Sequence, residues 1–325
     1  MIDFSKKYPF RNSFLDLIYK LPLFGNGGCH IPNEYGIVNE QLNGNVRIAI
    51  QSNLISQSLH DGETTMLYLD KDGKVCSKTI LDKDSNLIKT VNYIYNSIGK
   101  CVEMRCTNSS GEIESRATYS YDENGLIIRN ESFGKNDEYR GNLTYKYDSN
   151  NLLIDECWNS RNTIYDWKCA YRYNENEQEI EMLEYKGKNK LFSRKLKKVY
   201  DTHGNLKEHL NINSDGTVEK LIVDAYDEDG RVIQVFFSNH SILNVDYDSH
   251  GRLVKFYDPR DKECIKILYH DNFVILEWMK INFTVFRRQI ISYDENNNVT
   301  SFSEYDGDNL DLVKKIVWKY EYNLD

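Results

Sequence analysis

Tyr119-Ser120-Tyr121-Asp122-Glu123-Asn124-Gly125-Leu126-Ile127-Ile128 is the stretch whose reading decides the fold. Tyr119 and Tyr121 lie two apart, so in an extended strand they share a face. Asp122 suits the first position of a type I turn, where its carboxylate accepts a backbone N–H two residues on. Gly125 suits the fourth, where the chain needs positive φ at a bulge. The chain then returns through the apolar Leu126-Ile127-Ile128. The phrase recurs as Tyr93-Ile94-Tyr95-Asn96, Tyr145-Lys146-Tyr147-Asp148 and Tyr171-Arg172-Tyr173-Asn174. Its second tyrosines stand at 95, 121, 147 and 173, with Tyr200 and Tyr226 continuing the series. A fixed period of about 26 residues marks a repeat architecture.

Roughly midway between these turns lies a second polar cluster: Thr107-Asn108-Ser109-Ser110-Gly111, Asn159-Ser160-Arg161-Asn162, Asn213-Ser214-Asp215-Gly216. Two turns per period leave two strands of about eight to ten residues. The repeat is a hairpin, and the array an up-and-down antiparallel meander. A helical repeat does not fit. Tyr, Val, Ile, Thr and Phe dominate between turns, and punctuation at this spacing leaves no room for a helix pair.

Tyr121-Asp122-Glu123-Asn124-Gly125-Leu126, Tyr200-Asp201-Thr202-His203-Gly204-Asn205-Leu206, Tyr226-Asp227-Glu228-Asp229-Gly230-Arg231-Val232 and Tyr247-Asp248-Ser249-His250-Gly251-Arg252-Leu253 carry a resemblance. Tyr293-Asp294-Glu295-Asn296-Asn297-Asn298-Val299 repeats it with Asn in the glycine slot. The pattern resembles the YD repeat, also called the RHS repeat, over about four-fifths of the chain. The resemblance implies a long coiled β-sheet, of the kind that in large members wraps a toxin or stands on a cell surface. With 325 residues the chain is far shorter than such a shell. Large members also carry a self-cleaving segment with Asp-Pro ahead of a toxin tail. Here Asp258-Pro259 continues as Arg260-Asp261, without the glycine-containing continuation, so an armed toxin with a tail is not expected.

The expected fold is all-β: a curved meander of about 26-residue YD-type hairpins over 45–325, preceded by a short helical or irregular cap over 1–44. Phe14-Leu15-Asp16-Leu17-Ile18-Tyr19-Lys20-Leu21 is apolar and amphipathic, too short and polar to span a bilayer, and reads as a cover for an open sheet edge. After Tyr226 the tyrosine spacing shortens to 21, 22 and 24 residues, which predicts shorter strands. Val235-Phe236-Phe237 and Phe273 to Trp278 read as strands buried on both faces. The last strand reads as a sheet edge guarded by Lys314, Lys315 and Lys319.

Composition bounds the chemistry. Net charge is −9, with 41 Lys+Arg against 50 Asp+Glu, and no basic run is interleaved with aromatics, so nucleic acid is not an expected partner. Seven scattered cysteines without a CxxC pair suggest a reducing compartment. Together with an N-terminus that does not read as a secretory signal, they point to the cytoplasm. Gly25-Asn26-Gly27-Gly28-Cys29-His30 lacks the Lys-Ser/Thr ending of a phosphate loop and the helix of a dinucleotide site. Asp70/Asp72 and Asp227/Asp229 imitate part of a calcium loop but lack its distal ligands. No catalytic, cofactor or metal residues are therefore assigned.

The expected function is that of a non-catalytic interaction protein binding another protein through its sheet. The finer form is an immunity or accessory partner of a polymorphic toxin, the partner being a basic toxin domain. Exposed acids Glu123, Glu228 and Asp229 and the strand tyrosines Tyr119, Tyr145 and Tyr171 are the candidate partner-binding residues. The alternative is a carbohydrate-binding protein that stacks sugars on tyrosine-lined strands.

Overall fold

A computed structural model describes residues 46–55, 62–237, 242–260, 263–280, 284–296, 298–307 and 309–322. The expected cap over 1–44, with its apolar segment and Gly25–His30 loop, lies outside the described residues. The described chain divides into two compact units, one within 91–241 and the other within 46–90 and 242–322.

The described chain is all-β. Its strands begin with β1 (Val46–Ile55), β2 (Thr64–Leu69), β3 (Val75–Leu81) and β4 (Leu87–Tyr95). The first unit continues with β5 (Cys101–Asn108), β6 (Ile113–Tyr121), β7 (Ile127–Phe133), β8 (Tyr139–Tyr147), β9 (Leu153–Ser160) and β10 (Trp167–Tyr173). It ends with β11 (Glu179–Lys186), β12 (Leu191–Tyr200), β13 (Leu206–Asn213), β14 (Val218–Tyr226) and β15 (Val232–Phe237). The second unit resumes with β16 (Ile242–Tyr247), β17 (Leu253–Tyr257), β18 (Glu263–Tyr269) and β19 (Phe273–Lys280). It closes with β20 (Val285–Tyr293), β21 (Val299–Asp306) and β22 (Asp311–Tyr322). From β5 to β15 each strand pairs antiparallel with the next, as expected of a meander. Strands β16 to β18 shorten to five to seven residues, following the shortened tyrosine spacing.

The Asp turns show why the repeat phrase folds as it does. Asp122 Oδ1 accepts the Asn124 and Leu126 amides at 3.0 and 2.8 Å. The Gly125 amide donates to the Asp122 carbonyl at 3.0 Å, and the Asp122 amide to the Leu126 carbonyl at 2.9 Å. Four backbone amides of the reversal, those of Asp122, Asn124, Gly125 and Leu126, are thus answered locally. Gly125 sits at φ +76° and shifts the β6–β7 register between Ser120 and Tyr121, the bulge that follows a type I turn in a hairpin. The same slot is filled by Asn151 at φ 64° and Glu177 at φ 61°, at the steric cost an L side chain meets there.

Each unit packs one sheet face. In the first, paired positions place Cys169, Met182, His209, Leu221, Val223, Val235 and Phe237 together, all buried. The opposite face carries cross-strand ion pairs, among them Lys168–Asp155 at 2.5 Å, Arg172–Glu181 at 3.3 Å and Lys220–Glu208 at 3.1 Å. In the second, Ile291, Phe302, Ile316 and Trp318 form a core against Leu276, Tyr293, Val299 and Tyr320.

Two expectations are corrected. Strand β22 is not an edge: it pairs with β21 and also with β1, which lies between β22 and β2. Its lysines therefore guard no open ladder. Lys314 stands opposite Glu304, with its ammonium 5.9 Å from the centre of the Phe302 ring. Burial on both faces is found at one point of these two runs, where buried Glu277 stands next to buried Trp278, and not elsewhere in them. Val235 and Phe237 are buried while Phe236 is half-buried, and Val274 and Trp278 are buried while Phe273 and Ile275 are half-buried. With one face packed more heavily than the other, the continuous apolar runs reflect β-propensity as well as burial.

Candidate recognition surfaces

The second tyrosine of each phrase is a tie between repeats. Its hydroxyl donates to the carbonyl of the first residue of the return strand one repeat earlier. The bonds are Tyr121 to Cys101 at 2.6 Å, Tyr147 to Ile127 at 2.9 Å, Tyr173 to Leu153 at 2.8 Å and Tyr200 to Glu179 at 2.9 Å. Tyr226 bonds Leu206 in the same way. In the second unit Tyr269 reaches Leu253 at 3.0 Å and Tyr320 reaches Val299 at 2.6 Å. The sequence did hold a signal for these bonds: a separation of 20 or 21 residues from hydroxyl to acceptor in six of the seven, shortened to 16 for Tyr269 and Leu253.

The first tyrosines behave differently. Tyr119, Tyr145 and Tyr171 are half-buried on the packed face of alternate strands β6, β8 and β10. Tyr145 opens a row of directly paired side chains: Tyr145, Glu156, Cys169, Glu184 and Arg194, one on each strand from β8 to β12. Tyr171 donates to Glu156 Oε1 at 2.5 Å. Burial, reinforced by this bond to the carboxylate, pushes the Tyr171 hydroxyl far up. Burial, with Glu156 and Glu184 beside it, pushes the Cys169 thiol up to about 11. Burial alone would raise the Glu184 carboxyl, but Lys186 at 2.8 Å and the Arg194 guanidinium outweigh it and hold it low. At neutral pH Cys169 is therefore a protonated thiol rather than a thiolate nucleophile. The row holds charge and shape. Nothing in the periodicity announces it, because Glu156, Cys169, Glu184 and Arg194 do not recur in other repeats.

The acidic candidates lie elsewhere. Glu123, Glu228 and Asp229 are exposed on Asp turns along one edge of the first unit. The five turns at 122–125, 148–151, 174–177, 201–204 and 227–230 hold nine Asp and Glu residues and no Lys or Arg. Successive turns are two strands, about 10 Å, apart, and touch through Asn124–Asn151 at 3.3 Å and Gln178 to the Gly204 carbonyl at 2.7 Å. Glu123 and Glu228 thus stand four turns apart on one acidic edge. The structure does not bring them to the three tyrosines, which lie on the sheet face.

His203 and His250 are exposed at equivalent turn positions. Among the described residues no group of three His, Cys, Asp or Glu is placed to hold a metal ion. No described helix is long and apolar enough to cross a membrane. The Asp258 carboxylate is buried and engaged by the Ile242 amide at 3.2 Å and by the Arg260 guanidinium at 3.1 Å.

Fold and surfaces together define an all-β protein of antiparallel hairpin repeats. No family model matches the chain, and no curated protein matches it. Among solved structures it is similar to a crystal structure of TcdB2-TccC3-TEV, at 12% identity and a TM-score of 0.40, over 81% of this chain and 16% of that one. It is also similar to the Photorhabdus luminescens Tc holotoxin pore, at 11% identity and a TM-score of 0.33, over 84% and 19% of the two chains. A porin-like protein from Bacteroides uniformis aligns at 8% identity and a TM-score of 0.32, over 86% and 99%. The chain spans less than a fifth of the length of these two toxin chains.

Proposed function

We propose that this is a YD-type repeat protein that acts without catalysis, in the cytoplasm, by binding a basic protein along its acidic turn edge. The finer reading is an immunity or accessory partner of a polymorphic toxin. The observation that carries it is the unbroken series of five turns on one edge of the first unit, whose nine Asp and Glu residues outnumber the one guanidinium paired with them among the described residues, Arg231 on Asp227 and Asp229. Such a row raises the local potential and steers a basic partner. The glycan alternative has less support: Tyr119, Tyr145 and Tyr171 are half-buried, and the Tyr171 hydroxyl is already held by Glu156.

The test is affinity capture of the tagged protein from its own cells, beside a variant carrying Glu123→Lys, Glu228→Lys and Asp229→Lys. A stoichiometric basic protein, retained by the wild type at low salt and lost by the variant, supports the reading. Equal retention by both, or retention only on a polysaccharide column, sinks it.

A further inference from the structure

The opposite turn edge of the first unit is built differently. Its loops carry two 3-10 turns, Lys135–Asp137 and Thr163–Tyr165, and the four-residue turn 187–190. Backbone bonds stitch them side by side: the Arg161 amide to the Arg140 carbonyl at 2.8 Å, and the Gly187 amide to the Asp166 carbonyl at 2.7 Å. Buried Asp166 pins the middle loop by accepting the Ser160 amide at 2.7 Å. Between the first two loops runs an open groove of about 540 Å³ lined by Glu138, Tyr139, Arg140, Arg161 and Tyr165.

The large apolar side chains of this edge face solvent: Ile164 is 65% exposed, Tyr165 64% and Leu191 69%. Two of its aromatic rings are propped from behind, Tyr139 on Phe133 at 5.8 Å and Phe192 on Tyr185 at 6.3 Å. Rings held in this way lose little freedom on binding. Turn 187–190 brings Lys188 and Lys190 and no acid. Among the described residues the Arg140 guanidinium and the Lys188 ammonium have no ion pair, while Arg161 is paired with Glu138. In a chain of net charge −9 this is a locally cationic, apolar edge.

From this juxtaposition we infer a second docking surface, for an extended segment of another protein in which Asp or Glu alternates with large apolar side chains. Carboxylates would meet Arg140 and Lys188, and the apolar side chains would cover Ile164, Tyr165 and Leu191. Burial of exposed apolar area supplies affinity, and the two unpaired cations supply selectivity. Single-stranded nucleic acid fits less well: the Glu138 carboxylate stands in the groove, and the aliphatic Ile164 and Leu191 have no role in base stacking. The inference does not rest on the acidic edge, which lies at the other ends of the same strands.

The experiment is fluorescence anisotropy of the full chain with a labelled peptide alternating Glu with Leu and Phe. Controls are the same peptide with Lys for Glu, and oligo(dT). The expected result is binding of the Glu peptide alone, weakened about tenfold or more by Arg140→Glu and again by Tyr165→Ser. These side chains are exposed, so the variants fold, and Ser97→Lys, on an exposed turn of the other edge, leaves binding unchanged. Equal binding of both peptides, tighter binding of oligo(dT), indifference to Arg140→Glu, or self-association of the chain that Arg140→Glu abolishes would each overturn the inference.

Discussion

The Tyr147 hydroxyl donates to the Ile127 carbonyl, 20 residues back and one hairpin away, at 2.9 Å. The bond joins the end of one repeat to the beginning of the return strand in the repeat before. A stack of hairpins has few contacts beyond nearest neighbours, so a side chain that crosses the repeat boundary fixes its register.

Tyr147→Phe removes that hydroxyl and leaves the ring. The expected loss is about 1 kcal/mol, the usual net value of one hydrogen bond. Tyr200→Phe, acting on Glu179 two repeats on, should cost a similar amount. The two sites share no partner, so the losses should add. Urea midpoints of the two single variants and the double variant check this. A double variant no less stable than either single one would mean that the ties act as one unit.

Glu177 occupies at φ 61° the slot that Gly125 occupies at φ 76°. Glu177→Gly relieves the contact of Cβ with the carbonyl and should stabilise the first unit by about 1 kcal/mol, less the entropy of the freed chain. Gly125→Ala should destabilise by a similar amount. A thermal melt of each variant decides the sign.

Gly141 is buried between β7 and β9, and a Cβ there would lie 2.5 Å from the Asn159 carbonyl oxygen and 2.9 Å from the Trp158 ring. A backbone oxygen cannot yield as a flexible side chain would. Gly141→Ala should cost roughly 1–3 kcal/mol. Limited proteolysis should show early cleavage between β7 and β9 in this variant and none in wild type under the same conditions.

His209 is buried opposite Lys198, and burial followed by that charge lowers its pKa from 6.5 to about 4. The unfolded chain then binds a proton at higher pH than the folded one. Its contribution is fully present above about pH 6.5 and is lost as pH falls towards 4, by roughly 3 kcal/mol in all. His209→Gln cannot titrate and should flatten stability against pH across that window. Carboxylates that their turns hold low, such as Asp201 with the Asn205 amide, lose their contribution only below about pH 4. Chemical denaturation at closely spaced pH values separates the two ranges.

The order of strands was legible because tyrosine, aspartate and glycine each have a local reason for their place. Alternation puts two tyrosines on one face, Asp122 closes its own turn, and Gly125 accepts a left-handed backbone. These interactions span at most four residues, so the sequence by itself determined an antiparallel hairpin array, its turn positions and the shortening of strands after Tyr226. Only the tertiary structure decided what lies between distant residues. It placed β1 beside β22, making the last strand an inner one. It also aligned Glu156, Cys169, Glu184 and Arg194 into one row on the packed face, and set Arg140 and Tyr165 along a single groove. The physical reason is that register across strands comes from pairing and packing over many residues, so side chains without a repeat acquire neighbours only when the sheet assembles.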